Sequence, residues 1–164
     1  MCKLKLSDFY YGAFLSALLN SGKAKPSLFD DVDTKSRRIY RFATEQSEQD
    51  HIVFTKYYVG NENKKSWRWN FLFTDDEIKK LETLNEQYGN LKLALICVKK
   101  NLAESEIAII NYKQLVKCMG LDIGTRSNAI NVKSYKGKRG LFVFGSGITE
   151  DDAIKVSRDM ITTL

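Results

Sequence analysis

The chain contains one histidine, one proline and three cysteines in 164 residues. Each shortage closes off a class of function. A single imidazole, His51, rules out a multi-histidine metal site and leaves only itself for any Ser-His-Asp relay. It stands at the start of an expected strand, where a surface or half-buried structural histidine is the ordinary reading. Cys2, Cys97 and Cys118 are odd in number and far apart, and no CxxC pair occurs, which argues against a zinc knuckle or a redox dithiol and fits a reducing cytoplasm. No apolar run approaches the roughly 18 residues that span a bilayer. The segment Met1–Lys5 leads into a polar-interrupted helix rather than a secretion signal, so no membrane partner is expected. Gly137, Gly140, Gly145 and Gly147 spell neither a phosphate-binding loop, a dinucleotide fingerprint nor a nucleophile elbow. They read as turn positions that need positive φ.

Apolar content of 43% and charged content of 28% describe a chain that collapses, with ten glycines spread too thinly for a long linker. One α+β domain over residues 1–164 is expected. The best-patterned stretch is Trp67–Val98. Trp67, Trp69, Phe71 and Phe73 alternate with Arg68, Asn70 and Leu72, as in a strand with one buried face. Thr74 and Glu77 then form a capping box for a helix that ends at Gly89. Leu93–Val98 is apolar on both faces, which places it in the middle of a sheet.

The remaining elements follow in order. Ser7 is the expected N-cap of a first helix running to Ser21. Arg37–Phe42 and His51–Val59 read as strands that form an antiparallel meander with the Trp67 strand. Glu106–Ile110 pairs as a hairpin with Leu91–Val98. Asn111 caps a short helix stopped by Gly120. Asn128–Tyr135 and Leu141–Phe144 form a second hairpin with Lys136–Gly140 at its tip. The tail from Thr149 reads as a helix, with an edge strand over Ala153–Ser157 as the alternative. The expected architecture is a mainly antiparallel sheet of six or seven strands, two main helices and one or two short ones.

Helix, strand meander and helix in that order loosely resemble the core of the PD-(D/E)xK nucleases. That family's motif, an acid followed by acid-x-lysine, implies a bound Mg²⁺. Asp31 or Asp33 would supply the first acid and Lys56 the lysine, but Phe54 replaces the second acid and breaks the motif at its centre. A metal-dependent nuclease built on Asp31, Asp33, Glu45 or Glu48 is the third reading. A helix start explains the cluster Asp75–Glu77, and also Glu150–Asp152 if the tail is helical. No catalytic residue, metal or cofactor is assigned.

The charge balance is +6. Between Asp122 and Glu150 there is no acid, while Arg126, Lys133, Lys136, Lys138 and Arg139 all fall there. Arg37, Arg38 and Arg41, with Lys35, form a second group. Lys64, Lys65 and Arg68 form a third, beside Trp67, Trp69, Tyr57 and Tyr58. Cations next to aromatics are what nucleic-acid binders use. The first expectation is therefore a non-catalytic, cytoplasmic binding protein that contacts nucleic acid through these groups. The second is a protein-interaction module, such as a small inhibitor or adaptor linked to defence or mobile elements.

Overall fold

The computed structural model describes residues 3–21, 24–28, 38–44, 47–124 and 128–159. Cys2, Asp31, Asp33, Lys35, Arg37, Glu45 and Arg126 lie outside the described residues. The described residues form three α-helices and ten strands. The fold is α+β, as expected, and its strands divide between two five-stranded sheets rather than filling one.

Helix α1 (Leu6–Asn20) opens two residues earlier than expected, with Lys5 rather than Ser7 at the cap. The Asp8 carboxylate does the capping, accepting the Lys5 backbone N–H at 2.7 Å. At the other end the Ser21 hydroxyl donates to the Leu18 carbonyl at 2.6 Å. Strands β1 (Ala24–Leu28), β2 (Arg38–Thr44) and β3 (Ser47–Val59) then run antiparallel.

At Gly60 the expected meander breaks. The Gly60 N–H donates to the Val98 carbonyl at 2.9 Å. A Cβ on Gly60 would lie 2.3 Å from Trp69 Nε1, so only glycine lets the chain pass under the indole. That indole also donates to the Val98 carbonyl, at 2.9 Å. Beyond this point β4 (Asn61–Glu62) and β5 (Ser66–Leu72) enter the second sheet. Alternation in the sequence shows that β5 buries one face but not which strand it pairs with.

Helix α2 (Asp75–Tyr88) has the expected capping box. Thr74 Oγ1 accepts the Glu77 N–H at 3.2 Å, and Glu77 Oε2 accepts the Thr74 N–H at 3.0 Å. Gly89 closes it at φ 71°. Strand β6 (Leu91–Val98) lies parallel to β3 and antiparallel to β7 (Glu106–Asn111). Helix α3 (Tyr112–Met119) is capped by Asn111 and Gln114 and closed by Gly120, also as expected.

The second sheet is completed by β8 (Ala129–Tyr135), β9 (Leu141–Gly145) and β10 (Ile154–Val156), in the order β10-β9-β8-β5-β4. The tail therefore corrects the helix reading in favour of the edge-strand alternative. Its three acids make only one turn of 3₁₀ helix at Glu150–Asp152. Ile154, Lys155 and Val156 then pair antiparallel with β9. An exposed strand edge with free N–H and C=O groups outcompetes a helix that has little to pack on.

The first sheet, ordered β1-β2-β3-β6-β7, is the middle layer. Tyr11, Phe14 and Leu18 of α1 share one core with Tyr40, Val53, Ala94, Ile96 and Ile109. Its other face joins Trp69, Phe71, Ile130, Val132 and Val143 of the second sheet, with Leu81, Leu84 and Leu115 of the helices. This double cover explains the unbroken apolar run of β6, which is interior beside the central β3. Among the described residues no helix is long and apolar enough to cross a membrane.

Candidate functional site

The outer face of the second sheet collects cations by register. One rung holds Asn61, Arg68, Lys133, Phe142 and Lys155, one residue from each of five strands. Side chains alternate along a strand, so this rung faces away from Trp69, Val132 and Val143 in the core. The next rung carries Asn70, Asn131 and Phe144. Arg68 Nε and Nη2 donate to Asn131 Oδ1 at 3.2 and 3.0 Å, and its guanidinium lies 5.7 Å from the centroid of the Phe144 ring.

Tyr135 and Phe142 form an edge-to-face pair with centroids 5.3 Å apart. Lys138 Nζ lies 5.0 Å from the first centroid and 6.0 Å from the second. The cation thus sits over an aromatic platform, a stabilising arrangement that leaves the ammonium at the surface. Lys133 is paired with Glu150, whose Oε1 also accepts the Tyr135 hydroxyl at 2.6 Å. Hydrogen bonds from Lys133 and then Tyr135 hold the Glu150 carboxyl below its ordinary value. The same bond to Glu150 raises Lys133.

The two sequence groups at 64–68 and 133–139 become neighbours through strand pairing. Ser66 lies opposite Tyr135, and the Lys136 N–H donates to the Lys65 carbonyl at 3.0 Å. Lys64, Lys65, Lys136, Lys138 and Arg139 are all exposed. Lys136 pairs with Glu62 at 3.1 Å. The acid-free stretch of sequence therefore receives acids from elsewhere, at Lys133 and Lys136.

The arginine group of the first sheet is placed differently. Arg38 pairs with Asp8 of α1 and stacks 5.0 Å from the centroid of Tyr11, on the sheet face turned away from the second sheet. A backbone hydrogen bond from Lys5 and then Arg38 hold the Asp8 carboxyl low. Arg41 is exposed on the same strand. The structure does not bring Arg38 together with the cations of the second sheet.

The aromatics near Lys64 and Lys65 belong mostly to the interior. Trp69 is fully buried, and Trp67 stacks on it with centroids 6.0 Å apart. Phe54 is buried in the same core. Lys56 is only 8% exposed, and its Nζ donates to Glu77 Oε2 at 2.7 Å. The lysine of the nuclease-like pattern is thus closed into a buried ion pair. Among the described residues no group of three or more His, Cys, Asp or Glu side chains is placed to hold a metal.

At the β10 edge the cation rung opens into a cavity of about 490 Å³ between the hairpin tip and the tail. Lys138, Arg139, Lys155 and Arg158 line it, with Asp159 as its one acid among the described residues. Arg158 is anchored: it pairs with Glu106 and donates to Ser134 Oγ at 2.9 Å and to the Gly140 carbonyl at 3.4 Å. Gly140, at φ 81°, lets the start of β9 approach β10, since a Cβ there would lie 3.0 Å from the Val156 carbonyl. Lys155 and Arg158 escape a reading of the sequence that makes the tail helical. The alternation of Ile154, Lys155 and Val156 is their only signal, and it is three residues long. Comparison with protein-family models, curated proteins and solved structures found no match to this chain.

Proposed function

We propose that this protein is a non-catalytic binder of single-stranded nucleic acid, with the outer face of the second sheet as its contact surface. One observation carries the reading: Arg68, Lys133, Phe142 and Lys155 stand in register on one rung. Next to it Tyr135 and Phe142 offer rings beneath Lys138. Rings on a sheet stack bases without regard to sequence, while the cations track the phosphates. Lys64, Lys65 and Arg139 extend the same charge along one end of the sheet. Two free, buried cysteines, Cys97 and Cys118, accord with a reducing cytoplasm. Burial pushes both thiols up, Cys118 to about 11, so neither is a ready nucleophile.

Fluorescence anisotropy with a labelled single-stranded oligonucleotide at several salt concentrations tests the reading. Four phosphate contacts, from Arg68, Lys138, Arg139 and Lys155 with Lys133 held by Glu150, predict a log–log salt slope of about −3. Absence of binding at low salt refutes it.

A second reading, a protein-interaction module, has its own observation. Leu6, Phe9 and Leu19 of α1 are more than half exposed, as is Leu4 before it. A pull-down that yields one stoichiometric protein partner, unaffected by nuclease, would favour it.

A further inference from the structure

The cavity at the β10 edge differs from the open sheet beside it. It is concave, and its volume of about 490 Å³ falls in the range that holds a whole small ligand rather than a lone ion. Its charge is also in excess. Glu106 pairs with both Arg158 and Lys99, and Arg158 becomes a fixed donor in the wall. Lys138, Arg139 and Lys155 line the same wall as the carboxylate of Asp159. Among the described residues at least two cations remain in surplus.

That surplus matches a phosphate monoester. A monoester carries close to two negative charges at neutral pH, because its second pKa lies near 6. A phosphodiester inside a strand carries one. The cavity also lies at the end of a track. Lys155 is both the last residue of the cation rung and part of the cavity wall. Lys138 likewise bridges the wall and the Tyr135–Phe142 pair. A nucleotide whose phosphate occupies the cavity would have these rings within reach of its base.

We propose that this cavity is a binding site for the terminal phosphate monoester of a nucleic-acid strand, and that the protein recognises phosphorylated ends. The inference rests on the nucleic-acid reading above for the strand, but not for the phosphate. Lys138, Arg139 and Lys155 supply mobile ammonium and guanidinium donors, and Arg158 supplies a held one. Charge-assisted bonds of this kind are the strong ones.

The test compares two oligonucleotides of one sequence, labelled at the 3′ end, with a 5′-phosphate or a 5′-hydroxyl. Wild type should bind the phosphorylated strand about tenfold or more tighter, the worth of one charged hydrogen bond or better. Lys155→Glu, an exposed site whose fold is checked by circular dichroism, should bring the ratio to about one, and so should Arg139→Glu. A nucleoside 5′-monophosphate should compete for wild type, and the unphosphorylated nucleoside should not. Equal binding of the two strands with no competition by the monophosphate overturns the cavity proposal and leaves the sheet reading standing. A tenfold ratio that persists in both variants also overturns it. Calorimetric binding of the monophosphate to wild type and not to Lys155→Glu, with no binding of either strand, keeps the cavity and removes the sheet reading. Absence of all binding removes both.

Discussion

The ion pair between Lys56 and Glu77 gives the sharpest test of how the two sheets and α2 are held together. Lys56 projects from β3 into the space under α2, and Glu77 comes down from the first turn of that helix. Their side chains are 10% and 5% exposed. Glu77 Oε2 accepts both Lys56 Nζ at 2.7 Å and the Thr74 N–H at 3.0 Å, and Lys56 Nζ lies 4.9 Å from the centroid of Phe73. Lys56→Met keeps most of the aliphatic stem and deletes the charge. It leaves a buried carboxylate with one backbone donor. Breaking one side of such a pair costs about 3–5 kcal/mol. Against a typical total of about 5–15 kcal/mol this is a large fraction. For a chain of this size it lowers the melting temperature by roughly 10 °C.

The double variant Lys56→Met/Glu77→Leu makes the argument exacting. It removes the stranded carboxylate and loses one arm of the capping box, worth about 1 kcal/mol. It should therefore be more stable than Lys56→Met alone. Urea titration followed by circular dichroism, with an unchanged m value, reads both. If Lys56→Met costs no more than about 1 kcal/mol, the pair behaves as an exposed one. If the double variant is weaker than the single, burial of the lone carboxylate is not what makes the loss large. Either result refutes the reasoning.

Gly60→Ala should destabilise the protein by about 1–3 kcal/mol, since the methyl group must displace the Trp69 indole; equilibrium unfolding followed by tryptophan fluorescence measures it. Phe142→Ala should weaken single-strand binding by about 1–3 kcal/mol while leaving the salt slope unchanged, because a stacked ring contributes no counterion release; anisotropy titrations across salt separate the two effects. Lys133 and Tyr135 hold the Glu150 carboxyl below the ordinary 4.5. Its contribution to stability is complete above that value and is lost as pH falls through the lower folded one. Melting curves from pH 6 to pH 3 should therefore drop more steeply for wild type than for Glu150→Gln.

Features that act within a few residues were legible in the sequence. The Thr74–Glu77 and Asn111–Gln114 caps, the stops at Gly89 and Gly120 and the doubly buried β6 each depend on neighbours close along the chain. Features that depend on partner choice were not. A turn at Gly60 that continues a meander and one that starts a second sheet look alike until the Trp69 indole is seen lying on the glycine. The tail shows the same limit. Ala153, Val156 and Met160 satisfy a helical period, and only the open edge of β9 decides for a strand. With the tail misread, Lys155 and Arg158 drop out of view. The candidate site suffers most, because grouping cations by nearness in sequence is the wrong rule for a sheet. Asn61, Arg68, Lys133, Phe142 and Lys155 meet by register.

Register also brings acids to cations that look unopposed in sequence, and this fixes the direction of one last prediction. Glu150 sits beside the rung and occupies Lys133 and the Tyr135 hydroxyl. A charge held that way is largely withdrawn from a passing phosphate. Glu150→Gln frees the Lys133 ammonium and removes a negative charge from the same face. Substitutions at a binding face usually weaken it, but this one should tighten single-strand binding and steepen the log–log salt slope by about 0.7, the value of one added contact. The protein itself should become slightly less stable near neutral pH, since a half-exposed pair contributes at most about 1 kcal/mol. Binding that stays the same or weakens, with the fold intact, would mean that nucleic acid does not lie across this rung.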